Sequence, residues 1–191
     1  DNIEIITEIT EKQEKLIMSL SGDTNSGKTC FIYRLLENIF KEDIDPTIAP
    51  NDIRKNVEFQ GKEINVQIWD TSGPERFQSI SRLIYHKSTA SAIFFDISRP
   101  ESFNKVEYFI KSIYDCCGVI PLVLIGNKCD LDHNVNDENI NELTQKYNVK
   151  YFEVSCKNDF NIHESFEYLI KEMIKASHEK EKKQMLNLFC K

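Results

Sequence analysis

Apolar and polar positions along this chain follow two distinct periods. Lys15 to Ser21, Ser91 to Ile97, Val119 to Ile125 and Val149 to Val154 are short apolar runs of strand length, as expected of strands buried on both faces. Between them, apolar residues recur at helical spacing. One face carries Ile32, Leu35, Leu36, Ile39 and Phe40, and a second Phe103, Val106, Phe109, Ile110 and Ile113. A third carries Phe166, Leu169, Ile170, Met173 and Ile174. Ser98-Arg-Pro-Glu101 has capping-box spacing with Pro in the first turn, so the second helix is predicted to open there. Strands alternating with helices predict an α/β fold whose parallel sheet is covered on both faces. One stretch breaks this rule. Val57 and Phe59, then Ile64, Val66 and Ile68, alternate with polar residues across Gln60-Gly61-Lys62, which predicts a hairpin and one antiparallel edge strand.

The chain has 191 residues, one domain's worth, with no internal repeat and no Pro/Gly/Ser linker. From about Ser177 it turns charged and then apolar again. The expected organisation is an acidic extension over 1–14, one domain over 15–177, and a charged extension over 178–191, helical or disordered. A net charge of −7 argues against a nucleic-acid binder, because phosphate repels an acidic surface. No apolar run approaches the ~18 residues of a membrane span, and the first fifteen residues lack a signal core. The six cysteines show no CxxC and no metal spacing with His, so free thiols in a cytoplasmic setting are expected. Only 6 residues are glycine, about half the usual proportion of roughly 7%, so each is expected where nothing else fits.

Gly22-Asp-Thr-Asn-Ser-Gly27-Lys28-Thr29 fits GxxxxGK[ST] and lies between an apolar strand and an amphipathic helix, the context this motif requires. Its glycines let backbone N–H groups wrap an anion, and the helix N-terminus adds partial positive charge. Lys28 would bridge β- and γ-phosphates, and the Thr29 hydroxyl would ligate Mg2+. Asn25, Ser26, Gly27, Lys28, Thr29 and Cys30 form the expected nucleotide-contacting run. Asp70 ends the second hairpin strand, where a carboxylate can hold Mg2+. Asn127-Lys128-Cys129-Asp130 follows a buried strand, and Asp130 can accept two parallel hydrogen bonds from guanine. Ser155-Cys156-Lys157, after the last strand, would close the base pocket, with the Cys156 N–H facing the guanine oxygen.

With these motifs in place, the chain resembles the Ras-like small GTPases and, within them, the Rab branch, over roughly residues 15–175. The most Rab-like stretches are Asn65 to Phe77 (NVQIWDTSGPERF), Phe94 to Ser98 (FFDIS) and Ile125 to Leu131 (IGNKCDL). The resemblance implies a P-loop G domain with a six-stranded, mostly parallel sheet, one antiparallel edge strand and about five helices. It implies GTP or GDP with Mg2+ as cofactors, and an exchange factor, an activating protein and effectors as partners. By the same resemblance, Phe40 would stack on guanine and Thr47 would ligate Mg2+ beside Thr29 and Asp70. Thr47 and Gly73 would sense the γ-phosphate through the backbone, giving two loops ordered in the GTP state. Lys28, Thr47 and Gly73 are then the expected catalytic set.

Three departures from the family pattern bear on function. Where the family places a water-orienting Gln, this chain has Pro74, which has neither side-chain donor nor acceptor and no N–H. Intrinsic hydrolysis is therefore expected to be slow. Thr24 replaces a small residue near the γ-phosphate, and Ala49-Pro50-Asn51-Asp52-Ile53 replaces the usual effector-facing run. The expected function is a Rab-like guanine-nucleotide switch in vesicle trafficking that hydrolyses GTP weakly. The alternative is a non-catalytic, nucleotide-dependent scaffold; a nucleotide kinase is disfavoured for lack of an Arg-rich lid. Phe189-Cys190-Lys191 fits neither a CaaX box nor a paired-cysteine end, so peripheral attachment to endomembranes is expected only with lipid on Cys190 or further sequence.

Overall fold

A computed structural model describes residues 16–42, 44–45, 47, 49–59, 61–71 and 78–189. The strands are β1 (Leu16–Gly22), β2 (Asn51–Phe59), β3 (Lys62–Asp70), β4 (Ala90–Asp96), β5 (Leu122–Asn127) and β6 (Lys150–Val154). They form one sheet in the order β2-β3-β1-β4-β5-β6. Every neighbouring pair is parallel except β2 with β3, the hairpin, where Val57 faces Ile64. The helices are α1 (Lys28–Glu37), α2 (Gln78–Tyr85), the single turn α3 (Pro100–Phe103), α4 (Val106–Cys117), α5 (Asp137–Tyr147) and α6 (Ile162–Phe189). The mostly parallel α/β sheet with one antiparallel edge strand is thus present, with five helices of two turns or more.

All residues of β1, β4 and β5 are buried, which is why these runs read as continuously apolar. Alternate side chains feed two layers. Leu16, Met18, Leu20, Ala92 and Phe94 pack with Phe31, Ile32 and Leu35 of α1 and with Phe166, Leu169, Ile170, Met173 and Ile174 of α6. Ile93, Phe95 and Ile97 pack on the opposite layer with Val106, Phe109, Ile110 and Ile113 of α4 and Ile140 of α5. Five parallel strands end at the same edge, at Gly22, Asp70, Asp96, Asn127 and Val154. The crevice beyond such carboxyl ends is where ligands bind open α/β sheets.

Three sequence expectations change. The apolar run from Val119 does not start a strand: Val119 is 85% exposed, and β5 opens only after Pro121, whose carbonyl accepts from Ser91 N–H at 3.0 Å. No capping box forms at Ser98, whose hydroxyl donates to Asp96 Oδ1 at 2.6 Å, and the expected helix splits into α3 and α4. α1 ends at Glu37 with Asn38 left-handed at φ 54°, which leaves Ile39 beyond the helix and exposed; Leu36, within the helix, is also exposed, and Phe31 takes the buried place. Lys15, Gln60 and Cys190 lie outside the described residues. Among those described, no helix is long and apolar enough to cross a membrane.

A polar seam runs through this core. Ser19 Oγ donates to Ser91 Oγ at 3.0 Å, and Ser91 Oγ donates to the Ser19 carbonyl at 2.9 Å, both side chains being buried. Ser91→Ala would strand the Ser19 hydroxyl, whereas Ser19→Ala leaves Ser91 its carbonyl acceptor. Urea denaturation should therefore show Ser91→Ala costing about 1–3 kcal/mol. Ser19→Ala should cost less, and Ser91→Ala should cost less again in the Ser19→Ala background. Equal and additive losses would overturn this account of the seam.

Candidate functional site

The phosphate loop leaves β1 at Gly22 and enters α1 at Lys28. Two of its glycines are sterically required. A Cβ on Gly22 (φ 139°) would strike the Phe94 carbonyl, and one on Gly27 (φ 91°) would strike the Asn127 amide. Asn25 takes a left-handed conformation at φ 62°. Ser26 Oγ donates to the Asp23 carbonyl at 2.8 Å, closing the turn. α1 begins on Gly27 with no side-chain cap and no acidic residue in its first turn, so its N–H groups and dipole face the loop uncompensated.

Lys28 is buried, and its Nζ donates to the carbonyls of Gly22 and Asp23, each at 2.9 Å. Burial pushes its pKa down to about 8, partly offset by the charges of Asp70 and Asp23. Thr29 Oγ1 donates to Asp70 Oδ2 at 2.7 Å and lies 2.9 Å from Thr47 Oγ1. Asp70 is itself buried, which raises its pKa, and its Oδ1 has no hydrogen-bond partner among the described residues. Two hydroxyls and a carboxylate with an unsatisfied buried oxygen make a hard, all-oxygen donor set. That chemistry fits Mg2+. The buried ammonium and the uncapped helix start fit phosphate oxygens.

Asn127 closes the other half. It is 1% exposed at the end of β5, and its Nδ2 donates to the Ser26 carbonyl at 2.9 Å. Its Oδ1 accepts from Lys128 N–H at 2.8 Å and, at 3.4 Å, from Cys156 N–H. Lys128 is left-handed (φ 65°), and its Nζ reaches Asp96 Oδ2 at 2.6 Å. Burial opposes the charge on Asp96, but hydrogen bonds from Lys128 and Ser98 prevail and hold its carboxyl below the usual range. Asp130 is exposed, and Ser155 Oγ donates to its Oδ1 while accepting from Asn158 N–H at 3.0 Å. This fixes one carboxylate oxygen. Cys156 is buried and Cys30 half-buried, and burial raises both thiol pKa values. Phe40 is half-buried against the core, and the exposed Lys157 pairs with Glu42 at 3.7 Å.

The structure therefore brings together the phosphate-loop run, Thr47, Asp70, Asn127, Lys128, Asp130 and the 155–157 loop. Gly73 and Pro74, with Pro46, lie outside the described residues. Asp96 and Arg34 are among the residues of the site that carry no motif in the sequence. Asp96 is signalled only as a lone charge closing an apolar run. Arg34 holds the base loop, its Nε donating to the Cys156 carbonyl at 2.8 Å and its Nη2 to that of Lys157 at 3.1 Å. Helical spacing alone does not reveal that contact across 122 residues.

Comparison with known proteins agrees with this geometry. The sequence model of the Ras family matches residues 15–175. Ras-related protein Rab-13 of Bos taurus is 32% identical over 161 residues, covering 83% of this chain and 79% of its own. Rab-13 of Rattus norvegicus is 33% identical over 158 residues, covering 81% and 78%. Ras-related protein Rab-8B of Homo sapiens is 32% identical over 158 residues, covering 81% and 76%. The chain belongs to the Ras family, as a guanine-nucleotide-binding switch of the Rab-like small-GTPase type whose cofactors are GTP or GDP and Mg2+.

Proposed function

We propose that this switch binds its nucleotide through the residues described above and turns GTP over slowly. Asn127, whose carboxamide bonds Ser26 of the phosphate loop on one side and Lys128 and Cys156 of the base loops on the other, carries this reading. Asn25, Ser26, Gly27, Lys28, Thr29 and Cys30 hold the phosphates, and Thr29, Thr47 and Asp70 hold Mg2+. Lys28 neutralises charge on the transferring phosphoryl group, while the Thr47 and Gly73 backbones respond to its presence. Phe40 stacks on the base, Asn127, Lys128 and Asp130 specify guanine, and Ser155, Cys156 and Lys157 close the pocket. The unit doing this is residues 15–177, flanked by the extensions 1–14 and 178–191.

Family membership implies regulators and effectors in general. The finer assignment is to vesicle trafficking on the cytoplasmic face of endomembranes, with an exchange factor, an activating protein and effectors. The relatives' names, Rab-13 and Rab-8B, support it. Pro74 favours a second reading: a chain that binds nucleotide, does not hydrolyse it and acts as a scaffold. The two differ in whether an activating protein that lends its own catalytic groups restores turnover.

Two measurements test the reading. Asp130→Asn exchanges an acceptor oxygen for a donor, so competition binding should shift from GTP towards XTP by about tenfold or more. An unchanged GTP/XTP ratio would remove Asp130 from the base site. Single-turnover hydrolysis should be slow in the wild type and rise at least about tenfold in Pro74→Gln. Fast wild-type hydrolysis refutes the proposed role of Pro74.

A further inference from the structure

We infer that Arg99 is a positioning residue of the phosphate loop, anchored on the same buried carboxylate that holds Lys128 of the base motif. The inference rests on the site assignment above. Asp96, 1% exposed at the end of β4, receives Lys128 Nζ on Oδ2 at 2.6 Å and the Ser98 N–H and hydroxyl on Oδ1. Arg99 Nε lies 3.4 Å from the same Oδ2. Its Nη2 donates to the Thr24 carbonyl at 2.8 Å and stands 3.9 Å from Asp23 Oδ2. Lys105 Nζ takes Asp23 Oδ1 at 3.0 Å. An unbroken line of alternating charge thus runs from Lys128 through Asp96 and Arg99 to Asp23 and Lys105.

Two physical consequences follow. A trans peptide is planar, with its C=O and the next N–H pointing opposite ways. Holding the Thr24 carbonyl against Arg99 therefore turns the Asn25 N–H away from Arg99, and Asn25 belongs to the nucleotide-contacting run. The second consequence is electrostatic. Asp23 is a carboxylate inside a loop that must accept phosphate, and Arg99 and Lys105 cancel its repulsion. Arg99 Nε is buried and makes no hydrogen bond among the described residues, so Asp96 holds the guanidinium by charge alone while Nη2 donates to Thr24; a lysine has a single ammonium on a flexible stem and cannot hold both ends of that span.

The effect should fall on the outer phosphate rather than on the base. Competition binding of GDP and GMP to the Mg2+-supplemented full chain separates these. Arg99→Gln should weaken GDP by about tenfold, the usual scale for losing a charge-assisted hydrogen bond, and GMP by less than about twofold. Arg99→Lys should recover only part of the loss. Lys146→Gln removes an exposed cation paired with Glu107 on α4, and should leave both affinities unchanged. Wild-type GDP affinity in Arg99→Gln, or equal losses for GDP and GMP, overturns the positioning role. A wild type that binds neither nucleotide overturns the site assignment itself.

Discussion

One buried carboxamide holds the two halves of this site together. Asn127 stands where β5 runs out, and it spends its donor on the phosphate loop and its acceptor on the base loops. Neither loop has a regular ladder to fix it; Arg34 and Arg99 each hold one of them, and Asn127 bonds both at once. The choice of residue follows from chemistry. An aspartate would offer no donor to the Ser26 carbonyl, and a serine could not span both partners. Because the group is fully buried, losing either hydrogen bond would expose an unsatisfied polar atom to low dielectric. Gly27 is the counterpart of this contact: the amide comes so close that no Cβ could be accommodated there.

The parallel sheet supplies the rest of the frame. β1, β3, β4, β5 and β6 all point their carboxyl ends at one edge, so Gly22, Asp70, Asp96, Asn127 and Val154 arrive together without long-range design of any loop. Gly22 touches the Phe94 carbonyl on β4, which seats the phosphate loop directly on its neighbouring strand. Phe94 in turn packs edge-on against Phe31 of α1 at 5.1 Å between centroids. The start of α1, and with it Lys28 and Thr29, is positioned by core packing as much as by the loop.

Much of this was legible in the sequence because the buried strands and the phosphate-loop motif carry strong local signals. β1, β4 and β5 read as apolar runs, and the β2–β3 hairpin as alternation around Gly61. The polar helix α5 gave no such signal, since Ile140 is its one buried residue and its remaining positions face outward or lie at the margin. α2 was also unread. Val119 is apolar yet exposed, because the segment ahead of Pro121 does not enter the sheet. No cap forms at Ser98 because the helix N-cap falls one residue later, on Arg99, while Ser98 donates its hydroxyl back to Asp96 Oδ1. In the site, residues inside contiguous motifs were found and those acting from a distance were not. Arg34 and Arg99 each reach carbonyls far along the chain, and no spacing rule encodes a contact created by the sheet's strand order.

An acidic chain that binds a polyanion must set cations at the site, and on the proposed assignment the buried Lys28 is one of them. Its ammonium donates to two carbonyls, and burial, which penalises the charged form, pushes its pKa down to about 8 against the opposing charges of Asp70 and Asp23. The sign of the linkage follows. A lysine whose folded pKa lies below its unfolded one costs folding energy at neutral pH, and that cost disappears as pH rises through the folded value towards the unfolded one. Asp70 carries the matching deficit in the opposite charge, a buried carboxylate with one oxygen unpartnered among the described residues. On the proposed assignment, a phosphate beside Lys28 and a divalent cation beside Asp70 would relieve both penalties at once. Bound in that way, nucleotide and metal would stabilise the fold by mass action.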